Sequence, residues 1–130
     1  NDSRVCFSAP LAKLLEGADR GTVYVRVDYT DKSGRVYHNN YCLDKQKNMN
    51  YPKVDLQTEV RSIEGGYEVT VSTDKFARAV CLSVADNESV YSDNYFDVQP
   101  KGSVQVQVRT RLSAEAFNAS LRLTCLNNEF

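Results

Sequence analysis

Apolar and polar residues alternate along most of this chain, most plainly from Thr22 to Tyr29. There Val23, Val25, Val27 and Tyr29 share one face, while Tyr24, Arg26 and Asp28 share the other. A period of two predicts a half-buried strand. Asp31-Lys32-Ser33-Gly34 follows with turn chemistry, so Arg35 to Leu43 reads as the returning arm of a hairpin. From Asp44 to Pro52 the alternation is lost and the chain turns polar, which marks a boundary. Strands then resume at Val54 to Ile63, Tyr67 to Ser72, Ala77 to Val84, Val90 to Phe96, Ser103 to Thr110 and Ser120 to Leu126. Glu64-Gly65-Gly66 and Asp86-Asn87-Glu88 supply turns between them. Helical turns are expected at Pro10 to Glu16, stopped by Gly17, and at Ser113 to Phe117, with Ser113 as N-cap.

Many short alternating strands and no long helical repeat predict an all-β chain, an antiparallel β-sandwich of the immunoglobulin type. Such a sandwich needs about seven strands. Residues 53–130 offer six or seven and are read as a complete domain. Residues 1–47 offer about three and are read as the tail of a preceding sandwich, with 48–52 as linker. The valine face of the first hairpin must then be covered, either by the second sandwich or by a neighbouring copy through self-association.

Composition narrows the function classes. The chain has 130 residues, 42% hydrophobic and 25% charged, with net charge -1. A domain of this size buries about two-thirds of its unfolded surface, so its core requires no disulfide or metal. Basic and acidic residues are interspersed without a long run of like charge, which makes nucleic acid and anionic membrane poor partners. No apolar stretch approaches the roughly 18 residues of a membrane span. Asn1 to Pro10 lacks the pattern of a signal peptide, and the chain is expected to be soluble and either mature or cut from something longer. Cys6, Cys42, Cys81 and Cys125 lack the close-pair spacing of a zinc site. They allow three pairings; strand phase turns Cys81 away from the core and Cys125 into it, which disfavours that pair, and thiols are the expected state.

Candidate chemistry is sparse. His38 and Cys42 share a strand face but stand roughly 13 Å apart, too far for a dyad. Asp93 and Asp97 form a carboxylate pair of the kind glycoside hydrolysis uses, yet they flank a bend in which acceptors hold backbone amides, and turn chemistry is the reading taken. Asp86, Glu88, Asp93 and Asn94 offer oxygen ligands at spacings that match no calcium loop, so neither metal nor cofactor is expected. Tyr37, Tyr41, Tyr91 and Tyr95 are candidates for an aromatic sugar-binding row, which would make the chain a carbohydrate-binding module; cross-strand packing explains them as well.

One stretch is specific. Ala77, Val80 and Leu82 stand in an Ala-x-x-Val-x-Leu strand, followed by Ser92-Asp93-Asn94-Tyr95-Phe96-Asp97-Val98-Gln99-Pro100. This resembles the C-terminal immunoglobulin-like domain of β-mannosidases of glycoside hydrolase family 2, over about Val54 to Phe130. Val98 stands where that family usually has Leu, and Pro100-Lys101-Gly102 separates proline from glycine by one residue. Tyr24 to Pro52 likewise resembles the end of the sandwich domain that precedes it in those enzymes. The resemblance implies a parent enzyme that removes terminal β-mannose by a retaining two-glutamate mechanism. Its glutamates lie in a barrel domain outside this chain, so no catalytic residue carries over, and the chain's expected partners are the parent's other domains. A periplasmic or extracellular location follows from the substrate class. Within the motif, Phe96 and Tyr95 are expected to be buried, with Asp93 or Asn94 accepting backbone hydrogen bonds.

Overall fold

The structure is a computed structural model that describes residues 3–129. The chain divides into two compact units, Asn1–Asn50 and Tyr51–Phe130.

In the first unit, helical turn α1 (Leu11–Leu15) ends where Glu16 and Gly17 adopt left-handed backbone at φ 48° and 86°. A 3-10 turn over Arg20–Thr22, capped by the Asp19 carboxylate, leads into β1 (Tyr24–Thr30), which pairs antiparallel with β2 (Val36–Cys42). Asp31 builds the turn between them. Its Oδ1 accepts from the Ser33 amide at 2.8 Å and the Arg35 amide at 3.0 Å. The polar stretch after β2 forms a second 3-10 turn, Gln46–Asn48, and the Asn50 amide donates to the Gly21 carbonyl at 2.8 Å. This unit has two strands among its described residues rather than the three expected. The strand phase is as read, but the burial is not: Val27 is 58% and Tyr29 62% exposed, because nothing within a two-stranded sheet covers its faces.

The second unit holds β3 (Gln57–Ile63), β4 (Gly66–Thr73), β5 (Ala77–Ser83), β6 (Val90–Tyr91), β7 (Phe96–Val98), β8 (Gly102–Arg109) and β9 (Arg122–Thr124), with α2 (Ala114–Ser120) and α3 (Leu126–Glu129). One sheet runs β3-β4-β8-β6 and the other β7-β5-β9, with every pairing antiparallel. Alternation decides which side chains face inward. Tyr67, Val69 and Val71 of β4 and Val106 and Val108 of β8 enclose one core with Val80 and Leu82 of β5 and Val98 of β7. Phe117 of α2 closes it, its ring stacked on Tyr67 with centroids 4.2 Å apart. Gly66 is required by close approach, since a β-carbon there would stand 2.0 Å from the Val108 carbonyl oxygen.

Three differences from the sequence reading bear on the fold of this unit. β3 begins at Gln57, not Val54. The last strand shrinks to Arg122–Thr124 because Leu126 begins α3. The largest change is at Val90 to Phe96, which is two strands: β6 pairs with β8 in one sheet and β7 with β5 in the other. Ser92–Tyr95 is therefore the crossing between the layers of the sandwich.

Candidate functional site

The Ser92 to Pro100 motif lies on that crossing, and its polar side chains take over backbone pairing where the chain leaves one ladder for the next. The Ser92 amide donates to the Gln107 carbonyl at 2.8 Å and its hydroxyl accepts from the Gln107 amide at 2.9 Å, which continues the β6–β8 ladder by one residue. Asp93 is exposed, its carboxylate accepting from the Asn94 amide at 2.8 Å. Asn94 then imitates a strand residue. Its Oδ1 accepts from the Leu82 amide at 2.8 Å and its Nδ2 donates to the Leu82 carbonyl at 2.9 Å, so β5 is paired before β7 begins.

Tyr95 turns the chain with left-handed backbone at φ 61° and is 71% exposed, which corrects the expectation that it is buried. A hydrogen bond with the Cys81 side chain raises its phenol above the ordinary tyrosine value. Turning at Tyr95 directs Phe96 into the core at 9% exposure, with Val98 fully buried two residues on. After Val98, Pro100 and Lys101, the latter at φ 57°, make the turn into β8.

Asp97 also differs from its reading as a turn-holding acceptor. Opposite it β5 carries a bulge, since Ala77 pairs with Val98 but Val80 with Phe96, and Ala79 takes left-handed φ 51°. The Asp97 Oδ1 accepts from the Ala79 amide at 3.0 Å and its Oδ2 from the Arg78 guanidinium. Side-chain exposure is 10% for Asp97 and 26% for Arg78. A carboxylate with both oxygens so committed holds a bulge in place. Sequence reasoning missed Arg78 and Ala79, because a bulge changes register without leaving a residue-type signature.

The other candidates fall apart as sites. Asp86 accepts from the Glu88 amide at 3.0 Å, the Ser89 amide at 2.7 Å and the Thr110 hydroxyl at 3.2 Å. Ser89 first, with the Thr110 hydroxyl and the Glu88 amide, holds its carboxyl below the ordinary aspartate value. No cluster of three metal-ligating side chains is present among the described residues. His38 is exposed on β2 opposite Asp28, whereas Cys42 lies at the far end of that strand opposite Tyr24. All four cysteines are thiols rather than disulfides. Burial raises the Cys125 thiol above its ordinary value, as a small core residue requires.

The four tyrosines divide between the two units, Tyr37 and Tyr41 in the first and Tyr91 and Tyr95 in the second. The Tyr91 hydroxyl accepts from the Val84 amide at 3.1 Å, and Tyr91 packs against the core of the second unit. In the first unit, Val25 pairs with Tyr41, Val27 with Asn39 and Tyr29 with Tyr37, so these six side chains share one face. Tyr29 and Tyr37 approach with centroids 6.3 Å apart, and the Arg35 guanidinium stands 5.1 Å from the Tyr37 ring. Tyr41 is 68% exposed.

Comparison with known families matches residues 50–129 to the model of the mannosidase immunoglobulin-fold domain, described as an Ig-fold domain. No curated protein matches the chain.

Proposed function

The chain belongs to the mannosidase Ig-fold family, and from this premise we propose that it is a noncatalytic C-terminal accessory part of a β-mannosidase-like glycoside hydrolase. The observation that carries the reading is the family match over residues 50–129. The geometry is in keeping with it: Asn94 and Asp97, the best-held polar side chains of the motif, serve backbone and an ion pair inside the sandwich. Residues 1–47 are the tail of the preceding sandwich, 48–52 the linker and 53–130 the terminal domain. The unit works by packing against other domains of its parent, which hydrolyses terminal β-mannose. The proposed compartment is periplasmic or extracellular, on the ground of that substrate class alone.

Incubation of the chain with an aryl β-mannoside tests the noncatalytic reading. No turnover above buffer is expected, and turnover that persists in a preparation free of host glycosidase would overturn it.

A second reading has one observation in its favour, the shared face of Tyr29, Tyr37 and Tyr41 on β1 and β2. Exposed rings on a sheet face are the means by which sugar-binding modules hold a glycan. Calorimetric titration with mannan separates the two: saturable heat abolished by Tyr41→Ala would favour the binding module, and no heat the accessory domain.

A further inference from the structure

The C-terminal turn α3 carries two adjacent asparagines whose side chains reach far back along the chain. Asn127 is 2% exposed, and both ends of its amide are used. Its Oδ1 accepts from the Arg78 amide at 2.8 Å, and its Nδ2 donates to the Pro52 and Phe76 carbonyls, each at 2.8 Å. Asn128 continues the set. Its Oδ1 accepts from the Val54 amide at 3.2 Å and its Nδ2 donates to the Val54 carbonyl at 2.9 Å. Lys53 Nζ reaches the Asn128 carbonyl at 3.3 Å, and Lys75 Nζ the Lys53 carbonyl at 3.4 Å.

Pro52 and Val54 precede β3, so their backbone groups lie outside the sheet ladders and are satisfied by side chains instead. Phe76 and Arg78 flank the first residue of β5, where the bulge begins. A single planar amide serves both segments at once, and Arg78, whose amide it holds, is the residue whose guanidinium meets Asp97.

We propose that Asn127 and Asn128 act as one clasp, through which the C-terminal turn fixes both the path of the incoming segment Pro52–Val54 and the bulged start of β5. An aspartate cannot replace Asn127, because the two carbonyls need a donor. A leucine or alanine would leave polar backbone buried without a partner. The inference concerns the second unit itself and stands whatever enzyme that unit serves.

Amide hydrogen exchange in the intact chain, resolved by residue with NMR, tests it. In Asn127→Ala the Arg78 amide loses its acceptor directly, whereas the Val54 amide keeps Asn128. A clasp predicts that the Val54 amide nonetheless exchanges on the order of tenfold faster, beyond any change at Val69 and Val71, whose amides report global opening. The reciprocal holds for Asn128→Ala, in which the Arg78 amide speeds although Asn127 remains. Asn128 is exposed, so this second variant carries the test if the first fails to fold. If the distant amide moves only as far as Val69 and Val71 do, the bonds act independently and the clasp is refuted.

Discussion

At Asp97 one carboxylate meets both an amide of a left-handed residue and a guanidinium, and the two bonds separate under substitution. Asp97→Asn keeps the acceptor for Ala79 but loses the charge opposite Arg78, a part-exposed partner that water can still reach. A loss of about 1 to 2 kcal/mol is expected from urea unfolding. Phe96→Ala acts through volume instead and should cost on the order of 3 to 5 kcal/mol, a large share of a small domain's stability. If the order of the two is reversed, the bulge rather than the ring anchors the crossing. Asp86 adds a pH dependence. Its carboxyl lies below the ordinary value, chiefly through Ser89, so it stabilises the fold above the unfolded value of about 3.9. That contribution is lost as pH falls through the lowered folded value. The stability difference between the native chain and Asp86→Asn should therefore be constant near neutrality and shrink below about pH 4; a difference unchanged across that range would contradict the assignment.

Among the elements, α2 is the one whose start a single residue controls. The Ser113 hydroxyl accepts from the Ala116 amide at 3.3 Å, and the helix delivers Phe117 to the core at 0% exposure. Ser113→Ala is expected to lower stability by about 1 kcal/mol, seen as a lower urea midpoint with unchanged slope. A loss near zero would show that packing of Phe117 alone holds the helix. This cap was legible in the sequence, as were β4 and β8, because Tyr67, Val69 and Val71 and then Val104, Val106 and Val108 alternate in the phase that the core demands. The split of Val90 to Phe96 was not legible. Ser92-Asp93-Asn94 signals a bend but not which ladder each side of it joins, and the change of sheet is decided by Gln107 on one side and Leu82 on the other, neither of them local. Within the motif, Phe96 could be read from its apolar character, but the exposure of Tyr95 follows from a left-handed turn that its residue type does not announce. Asn127 and Asn128 look like an ordinary polar tail, since nothing in a sequence shows that Pro52 and Phe76 need donors.

For the molecule as a whole, the open question posed by its pattern is what covers the first hairpin. Val27, Tyr29 and Tyr41 are 58%, 62% and 68% exposed on one face of the two-stranded sheet. Such a face marks an interface. Taken apart from a parent enzyme, the chain is expected to self-associate through it: light scattering should give a mass that rises with concentration, and Val27→Lys should restore the monomer. A strict monomer at every concentration would show that the face is stable in water. The central claim is that this family domain serves a larger glycosidase, and sequencing the transcript upstream of the Asn1 codon tests it most directly. The account predicts an open reading frame that continues into the rest of a sandwich and, before it, a barrel domain carrying two catalytic glutamates. A start codon immediately before Asn1 would contradict it.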